Sequence, residues 1–256
     1  MRILHYNILD GCQGEPARLA GLGGWLTDQA FDFVGLNELN GWNVSPGISE
    51  LSSDWGYPHH ALLETTRRPY FVGAISRHPI QRIATFEKGF HHGMLVLDVM
   101  GIHVVITHLT PVSADDRERE AARIVEILEE VDGPVLLMGD LNTLSPEDRD
   151  RHMASDLAGS LRQNAHLARK FLDAQGEINY RPMQILLDAG LVDLSRSQDP
   201  TVPTAANTDA AHAAPMRLDY IMGNRQLLSD KAPVAETLYE DPLPQLSDHF
   251  PVACTW

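Results

Sequence analysis

Cysteine is scarce in this chain: Cys12 and Cys254 are the only two in 256 residues. No disulfide framework can be built from them, so the fold must be held by its core. Lysine is nearly as scarce, confined to Lys88, Lys170 and Lys231. With 20 basic against 35 acidic side chains the formal net charge is −15, and no basic run exceeds Arg67-Arg68. A protein that lives on phosphate-backbone contacts usually carries a stripe of Lys and Arg, and that stripe is missing. The acidity therefore argues against a nucleic-acid partner without excluding one, because metal ions can neutralise a site. Also missing is any run of the ~18–20 apolar residues that a membrane span needs. The opening Met1-Arg2-Ile3-Leu4-His5-Tyr6-Asn7 meets polar groups too early for a secretion-signal core. These absences make the cytoplasm the expected location, and no obligate protein partner is inferred.

What is present is ordinary globular material, 43% hydrophobic and 21% charged, with ample apolar residues for a core. Strand-like runs recur at 2–8, 32–37, 71–76, 80–86, 94–99, 102–107, 134–139, 217–222 and 251–255. Several are continuously apolar, as in Val135-Leu136-Leu137-Met138, which suits strands covered on both faces. Helical patterns fall between them at 15–29, 114–131, 146–174 and 181–190. Ser113 with Asp116 three residues on reads as a helix start, followed by the buried stripe Ala121, Ile124, Val125 and Leu128. Ser145-Pro146-Glu147-Asp148 is a second start signal. The expectation is one domain over 1–256, with a helical insertion at about 145–190.

The chemistry-bearing residues sit at strand ends, where a rigid scaffold presents side chains to a shared edge. Asp140 and Asn142 in Gly139-Asp140-Leu141-Asn142 share a face if extended. Glu38 ends Phe33-Val34-Gly35-Leu36-Asn37, Asn7 ends the first run, and His108 ends His103-Val104-Val105-Ile106-Thr107. Asp248-His249 precede the last run, and Asp219 is a second acid available to that imidazole. Hard oxygen donors of this kind suit Mg²⁺ or Mn²⁺. His5 reads as a core or cleft residue, and the pairs His59-His60 and His91-His92 as surface or loop.

Taken in order, His5-Tyr6-Asn7-Ile8, Leu36-Asn37-Glu38-Leu39, Gly73-Ala74-Ile75-Ser76-Arg77, Thr107-His108-Leu109, Gly139-Asp140-Leu141-Asn142, Arg217-Leu218-Asp219-Tyr220 and Ser247-Asp248-His249-Phe250-Pro251 resemble the endonuclease/exonuclease/phosphatase superfamily. That is the deoxyribonuclease I-like group of metal-dependent phosphoesterases. The resemblance implies a four-layer α/β sandwich, two packed, mainly antiparallel sheets flanked by helices. It also implies Mg²⁺, for which Mn²⁺ can substitute, held chiefly by Glu38 with Asn7 and Asp248 near it. Asp140 is then expected to activate water, Asn142 to hold a phosphate oxygen, and His249, paired with Asp219, to stabilise the phosphoryl charge. His108 is expected at the phosphate, on the leaving-group side. Two departures stand out. Asn37 replaces the Gln common before the metal glutamate, and Leu9 stands where abasic-site nucleases carry Asp, with Asp10 one place later.

Specificity is not carried by the common centre. Trp42, Trp55 and Tyr57 form a candidate rim, and Arg67, Arg68, Arg77 and Arg117 are candidate phosphate contacts, Arg117 foremost because its helix face turns inward. The acidity favours a small phosphorylated substrate, phosphodiester or phosphomonoester. A nuclease, a sphingomyelinase-like phospholipid phosphodiesterase and a catalytically inactive scaffold are the competing readings. Retention of Glu38, Asp140, Asn142, Asp219, Asp248 and His249 together speaks against the last.

Overall fold

A computed structural model describes residues 1–66, 69–208 and 214–256, with the side chains of 82, 83 and 230 left aside; Arg67 and Arg68 lie outside the described residues. Among the described residues twelve strands form two six-stranded sheets. In the first, β1 (Arg2–Asn7) lies parallel to β2 (Phe33–Asn37) at the centre. Around this pair run β3 (His59–Leu63), β4 (Val72–Ser76), β11 (Val234–Thr237) and β12 (Val252–Thr255), in the order β11-β12-β1-β2-β4-β3. In the second, β7 (Ile102–His108) lies parallel to β8 (Val135–Asp140). Its remaining strands are β5 (Gln81–Phe86), β6 (Met94–Val99), β9 (Val192–Asp193) and β10 (Asp219–Gly223), in the order β5-β6-β7-β8-β10-β9. All other pairings are antiparallel.

Three apolar layers separate four layers of structure. Between the sheets, Ile3, Phe33, Leu97, Ile106, Met138 and Cys254 form a fully buried stratum. Side chains alternate along β1, so Leu4 and Tyr6 face the other way, onto α1 (Pro16–Gln29) and α2 (Ile48–Asp54). On the far side of the second sheet, Val105 and Leu137 meet Ala121 and Ile124 of α3 (Ala114–Leu128) and Met183 of α7 (Arg181–Asp188). Each fully buried side chain of Leu or Ile size contributes about 1.5–3 kcal/mol. Gly35 marks the tightest approach of the sheets: a Cβ there would stand 2.3 Å from Met138 Sδ. Gly139 is fixed similarly, since its Cβ would stand 2.0 Å from the carbonyl oxygen of Thr107, which cannot move aside.

The start of α3 is capped as expected, Ser113 Oγ accepting from Asp116 N–H at 3.2 Å. The pattern at 146–174 resolves into α4 (Arg149–Ala154), α5 (Leu157–Arg162) and α6 (Ala165–Phe171). Asp156 interrupts it in the left-handed region, at φ 47°, and Asn164 caps α6. This segment packs its own core, Leu144, Leu157, Leu161, Leu167 and Phe171 against Met216 and Leu218. Arg217 anchors it, donating to both oxygens of Asp148 (2.9 and 3.0 Å) and to Asp193 (2.5 Å). Two short helices, α8 (Arg225–Asp230) and α9 (Leu243–Leu246), complete the chain. Among the described residues no helix is long and apolar enough to cross a membrane.

Candidate active site

Strand register gathers the chemistry on one edge. His108, Asp140 and Asp219 are direct partners across β7, β8 and β10. On the facing sheet Asn7 pairs with Asn37 across β1 and β2, and Glu38 follows at once. Parallel central pairs are the reason, because both members of each pair end on the same side. The two sheets are then stitched together. Asn7 Nδ2 donates to Glu38 Oε1 (3.1 Å) and to Asp140 Oδ2 (3.2 Å). Asn37 Oδ1 accepts the main-chain N–H of Asp140 at 2.8 Å. The residue one methylene shorter than the family's usual Gln is thus the strut between sheets. Glu38 and Asn142 leave their strands in the left-handed region, at φ 62° and 49°. For Glu38 this conformation carries strain of about 1–3 kcal/mol, a cost concentrated at functional positions.

His249 Nδ1 donates to Asp219 Oδ2 at 2.7 Å, and the other oxygen of Asp219 lies 3.1 Å from His5 Nε2. One carboxylate is therefore clamped between two buried imidazoles. His5, expected as a core or cleft residue, belongs to the site. Its signal lay in the alternation of β1, which puts His5 on the same face as Asn7. Burial alone would depress the basicity of His249, but Asp219, Asp140 and Asp248 reverse this and lift its pKa to about 10. Ser247 secures the terminal loop, its hydroxyl donating to Asn7 O at 2.7 Å and accepting from His249 N–H at 3.2 Å.

His108 Nε2 stands 3.3 Å from Asp140 Oδ2 and 3.1 Å from Asn142 Nδ2. It can serve one of them at a time. Neutral, that nitrogen accepts from Asn142; protonated, it donates to Asp140. Burial opposes the charge on His108, and the hydrogen bond and charge of Asp140 outweigh it, so its pKa is raised. Asn142 also donates to Leu109 O at 3.0 Å, which makes its amide a brace for His108. Asp140 itself is fully desolvated, which favours the neutral acid, yet His249, His108 and Lys170 hold its pKa well below the ordinary carboxyl value.

These groups open on a cavity of about 500 Å³, lined by Glu38, His108, Asp140, Asn142, Asp248 and His249. Other residues reach it unannounced by sequence. Asp10 stands one place beyond the position that abasic-site nucleases fill with Asp, but Leu9 and Asp10 turn through the left-handed region (φ 51° and 50°) and bring it to the rim. Its N–H donates to Glu38 Oε2 at 3.0 Å. His91 and His92, read as surface or loop, line the cavity too; His92 is buried and stacks on His108 with centroids 4.3 Å apart. Tyr70 and Lys170 complete that wall. His59 and His60 do lie away from the site, on edge strand β3.

The donor set fits a hard divalent cation. Glu38 is partly exposed to the cavity, and its pKa is raised by burial first, with the charge of Asp248 adding to the effect. A cation would relieve both. Asp140, Asp219 and His249 also place one ligand atom each within 4.8 Å of one another. Asp219, however, is held by His249 and His5 and does not line the cavity, whereas Glu38 and Asp248 both do, which makes them the better pair. A further cavity of about 540 Å³, between Arg149, His152, Arg162 and Tyr180, contains none of the strand-end residues.

Three expected substrate contacts do not reach the cavity. Arg117 does turn inward, but it is fully buried and spends its guanidinium on the carbonyls of Thr110 (3.0 Å) and Lys170. Arg77 follows β4 at the end remote from Asn37, exposed over the Tyr57 ring. Trp42 is buried against Trp55, its Nε1 donating to Gly11 O at 2.9 Å, and Trp55 and Tyr57 are buried in the same cluster.

Glu120, one turn after Arg117, accepts from the N–H groups of Thr110 (2.7 Å) and His91 (2.6 Å), and burial pushes its pKa from 4.5 to about 7. Below about 4.5 the folded and unfolded chains both hold the proton; between there and about 7 only the folded chain does, so stability falls as pH rises. Replacing Glu120 by Gln should remove that slope, shifting the stability gap between the two proteins by about 3 kcal/mol in favour of the variant from about pH 4.5 to about pH 8. Urea unfolding across that range measures it, and a gap independent of pH would refute it.

A sequence model of the Endonuclease/Exonuclease/phosphatase family matches residues 4–249. No curated protein matches the chain in sequence. Among solved structures, an AP endonuclease from Archaeoglobus fulgidus superposes with a TM-score of 0.71 at 16% identity, covering 100% of this chain and 99% of that one. The 3′ phosphatase NExo from Neisseria, bound to product DNA hairpin, gives 0.68 at 17%, again with 100% and 99% coverage. Beta toxin from Staphylococcus aureus gives 0.66 at 17%, with the same coverage. At these identities the structural likeness speaks for the fold, the two-sheet α/β sandwich described above. The family match spans nearly the whole chain, and on it this protein belongs to the endonuclease/exonuclease/phosphatase family, as a hydrolase acting on phosphoester bonds.

Proposed function

We propose that the protein hydrolyses a small phosphate ester, phosphodiester or phosphomonoester, with Mg²⁺ or Mn²⁺. The observation that carries this reading is the convergence of Asn7, Glu38, Asp140, Asn142, Asp219, Asp248 and His249, from both sheets, on one edge. Glu38, with Asn7 and Asp248 beside it, would hold the divalent cation, which would supply charge neutralisation and Lewis-acid chemistry at the phosphoryl group. Asp140 takes the proton of the attacking water as the new P–O bond forms and the bond to the leaving oxygen breaks. Asn7 and the Asn37 strut hold Asp140 for that task. His249, cationic because three carboxylates surround it, offsets the charge growing on the phosphoryl oxygens. Asp219 orients that ring, and His5 orients Asp219. His108, beside Asn142 and Asp140 on the cavity wall, is assigned the leaving-group side.

The net charge of −15 and a cavity of only about 500 Å³ favour a compact substrate over a polymer. Bis- and mono-nitrophenyl phosphate, nucleotides, plasmid DNA, oligoribonucleotides and choline phospholipid vesicles, each with Mg²⁺ or Mn²⁺, form the testing panel. Turnover of the small esters, lost in His249→Ala, is the expected result. Plasmid nicking that exceeds small-ester turnover and vanishes in His249→Ala would replace this reading by the nuclease one. Activity that survives His249→Ala would sink the mechanism.

A further inference from the structure

The cavity carries groups of both kinds: the carboxylates Glu38, Asp10 and Asp248, and a nitrogen-rich wall of Lys170, His91 and His92. The members of that wall come from distant parts of the chain. His91 and His92 precede β6, and Lys170 lies in the last turn of α6. Both segments are tied to α3. Arg117 donates to the carbonyls of Lys170 and Thr110, and Glu120 accepts the N–H groups of His91 and Thr110. Burying an arginine and a glutamate rarely stabilises a protein more than apolar residues of the same size would. Here the two fix the backbone of two members of that wall, Lys170 and His91. Lys170, only 3% exposed, is one of just three lysines in an acidic chain. Its ammonium lies 5.0 Å from the Phe171 ring centroid and within electrostatic reach of Asp140. Desolvating an ammonium is costly, and a strongly acidic protein has abundant surface on which to leave one.

We propose that this wall is a subsite for a second anionic group of the substrate, a phosphate or carboxylate carried beside the scissile phosphate and held by Lys170 together with His91 and His92. The inference rests on the phosphoesterase reading and deepens it, naming as substrate class small phosphate esters with two separate negative groups.

Calorimetric binding to the Mn²⁺-loaded protein tests this with matched ligands. Glycerol 2-phosphate against 2-phosphoglycerate adds a carboxylate; a nucleoside 3′-monophosphate against the 3′,5′-bisphosphate adds a phosphate. In the wild type the second anion should tighten binding by about tenfold or more in at least one pair, as a desolvated charge-assisted contact does. The pair that responds identifies the anion. In Lys170→Met that affinity ratio should fall to near one, and Lys170→Arg should restore a part of it. Equal affinities within both pairs in the wild type would overturn the proposal, as would a ratio unchanged in Lys170→Met. Should Lys170→Met not fold, Lys170→Gln and the wild-type ratio carry the same decision. Phosphate release from the same ligands is followed separately, so a preserved ratio without hydrolysis would sink the activity and spare the subsite. Hydrolysis without any ratio would do the reverse.

Discussion

Asp140→Asn should lower kcat by about 10³–10⁴-fold, the full reach of a general base, while the protein stays folded. Asparagine keeps the size of the side chain and one oxygen, so the bond from Asn142 N–H at 2.9 Å survives. The change falls on the other atom. Oδ2 is the acceptor toward which Asn7 Nδ2 (3.2 Å), His108 Nε2 (3.3 Å) and His249 Nε2 (3.8 Å) all point. An NH₂ there faces three nitrogens, can take no proton from water, and loses the anion that sustains the charge on both histidines. The local cost to stability is about 1–3 kcal/mol, the penalty for buried donors left without an acceptor. Turnover should therefore fall by far more than the melting temperature suggests. Single-turnover rates beside thermal melts separate the two effects. A kcat within tenfold of the wild type would remove Asp140 from the role of base.

The strand-end residues were legible in sequence because each ends a run whose character is local: apolar, short and followed by a polar group. Two-residue alternation then assigns the face, and with it His5, whose link to Asp219 is 214 positions long in sequence and so invisible there. Arg117 and Trp42 show the limit of such patterns. An inward helical face points equally well at a core or at a cavity, and only the long-range partners Lys170 and Gly11 decide between them. Asp10 depended on a left-handed turn that no spacing rule encodes. His91, His92 and Lys170 come to the cavity through ties to α3, which are tertiary contacts. Strands β3 and β11 were missed for a simpler reason. His59-His60 carries no strand signal, and Val234–Thr237 is only four residues long. The break of 146–174 into three helices depended on caps at Asp156 and Asn164, within a stretch whose periodicity continues across them.

Removing divalent metal should lower the melting temperature by about 5–11 °C. A ligand at a hundred times its dissociation constant stabilises by about 2.7 kcal/mol, and a chain of this size shifts roughly 2–4 °C per kcal/mol. The physical source is the carboxylate cluster. Burial raises the pKa of Glu38, and Asp248 raises it further, so the cation-free site pays to keep both charged. Filling it requires the ionised form of Glu38. Protons therefore compete with the cation, and the stabilisation by metal should shrink as pH falls through the raised pKa of Glu38 and grow as pH rises above it. Melts in EDTA and in millimolar Mg²⁺, at about pH 5 and about pH 8, read both effects. Two substitutions locate the site. Glu38→Gln should erase most of the shift, whereas Asp219→Asn, which disturbs the clamp on His249, should lower the melting temperature in both conditions and keep the difference between them. The opposite outcome would move the cation to the Asp140, Asp219 and His249 cluster, whose ligand atoms lie within 4.8 Å of one another. A melting temperature that ignores metal altogether would mean that the carboxylates are already compensated by the protein's own donors. In that case the histidines, Asn7 and Lys170 would be the groups that hold the charges at this edge together.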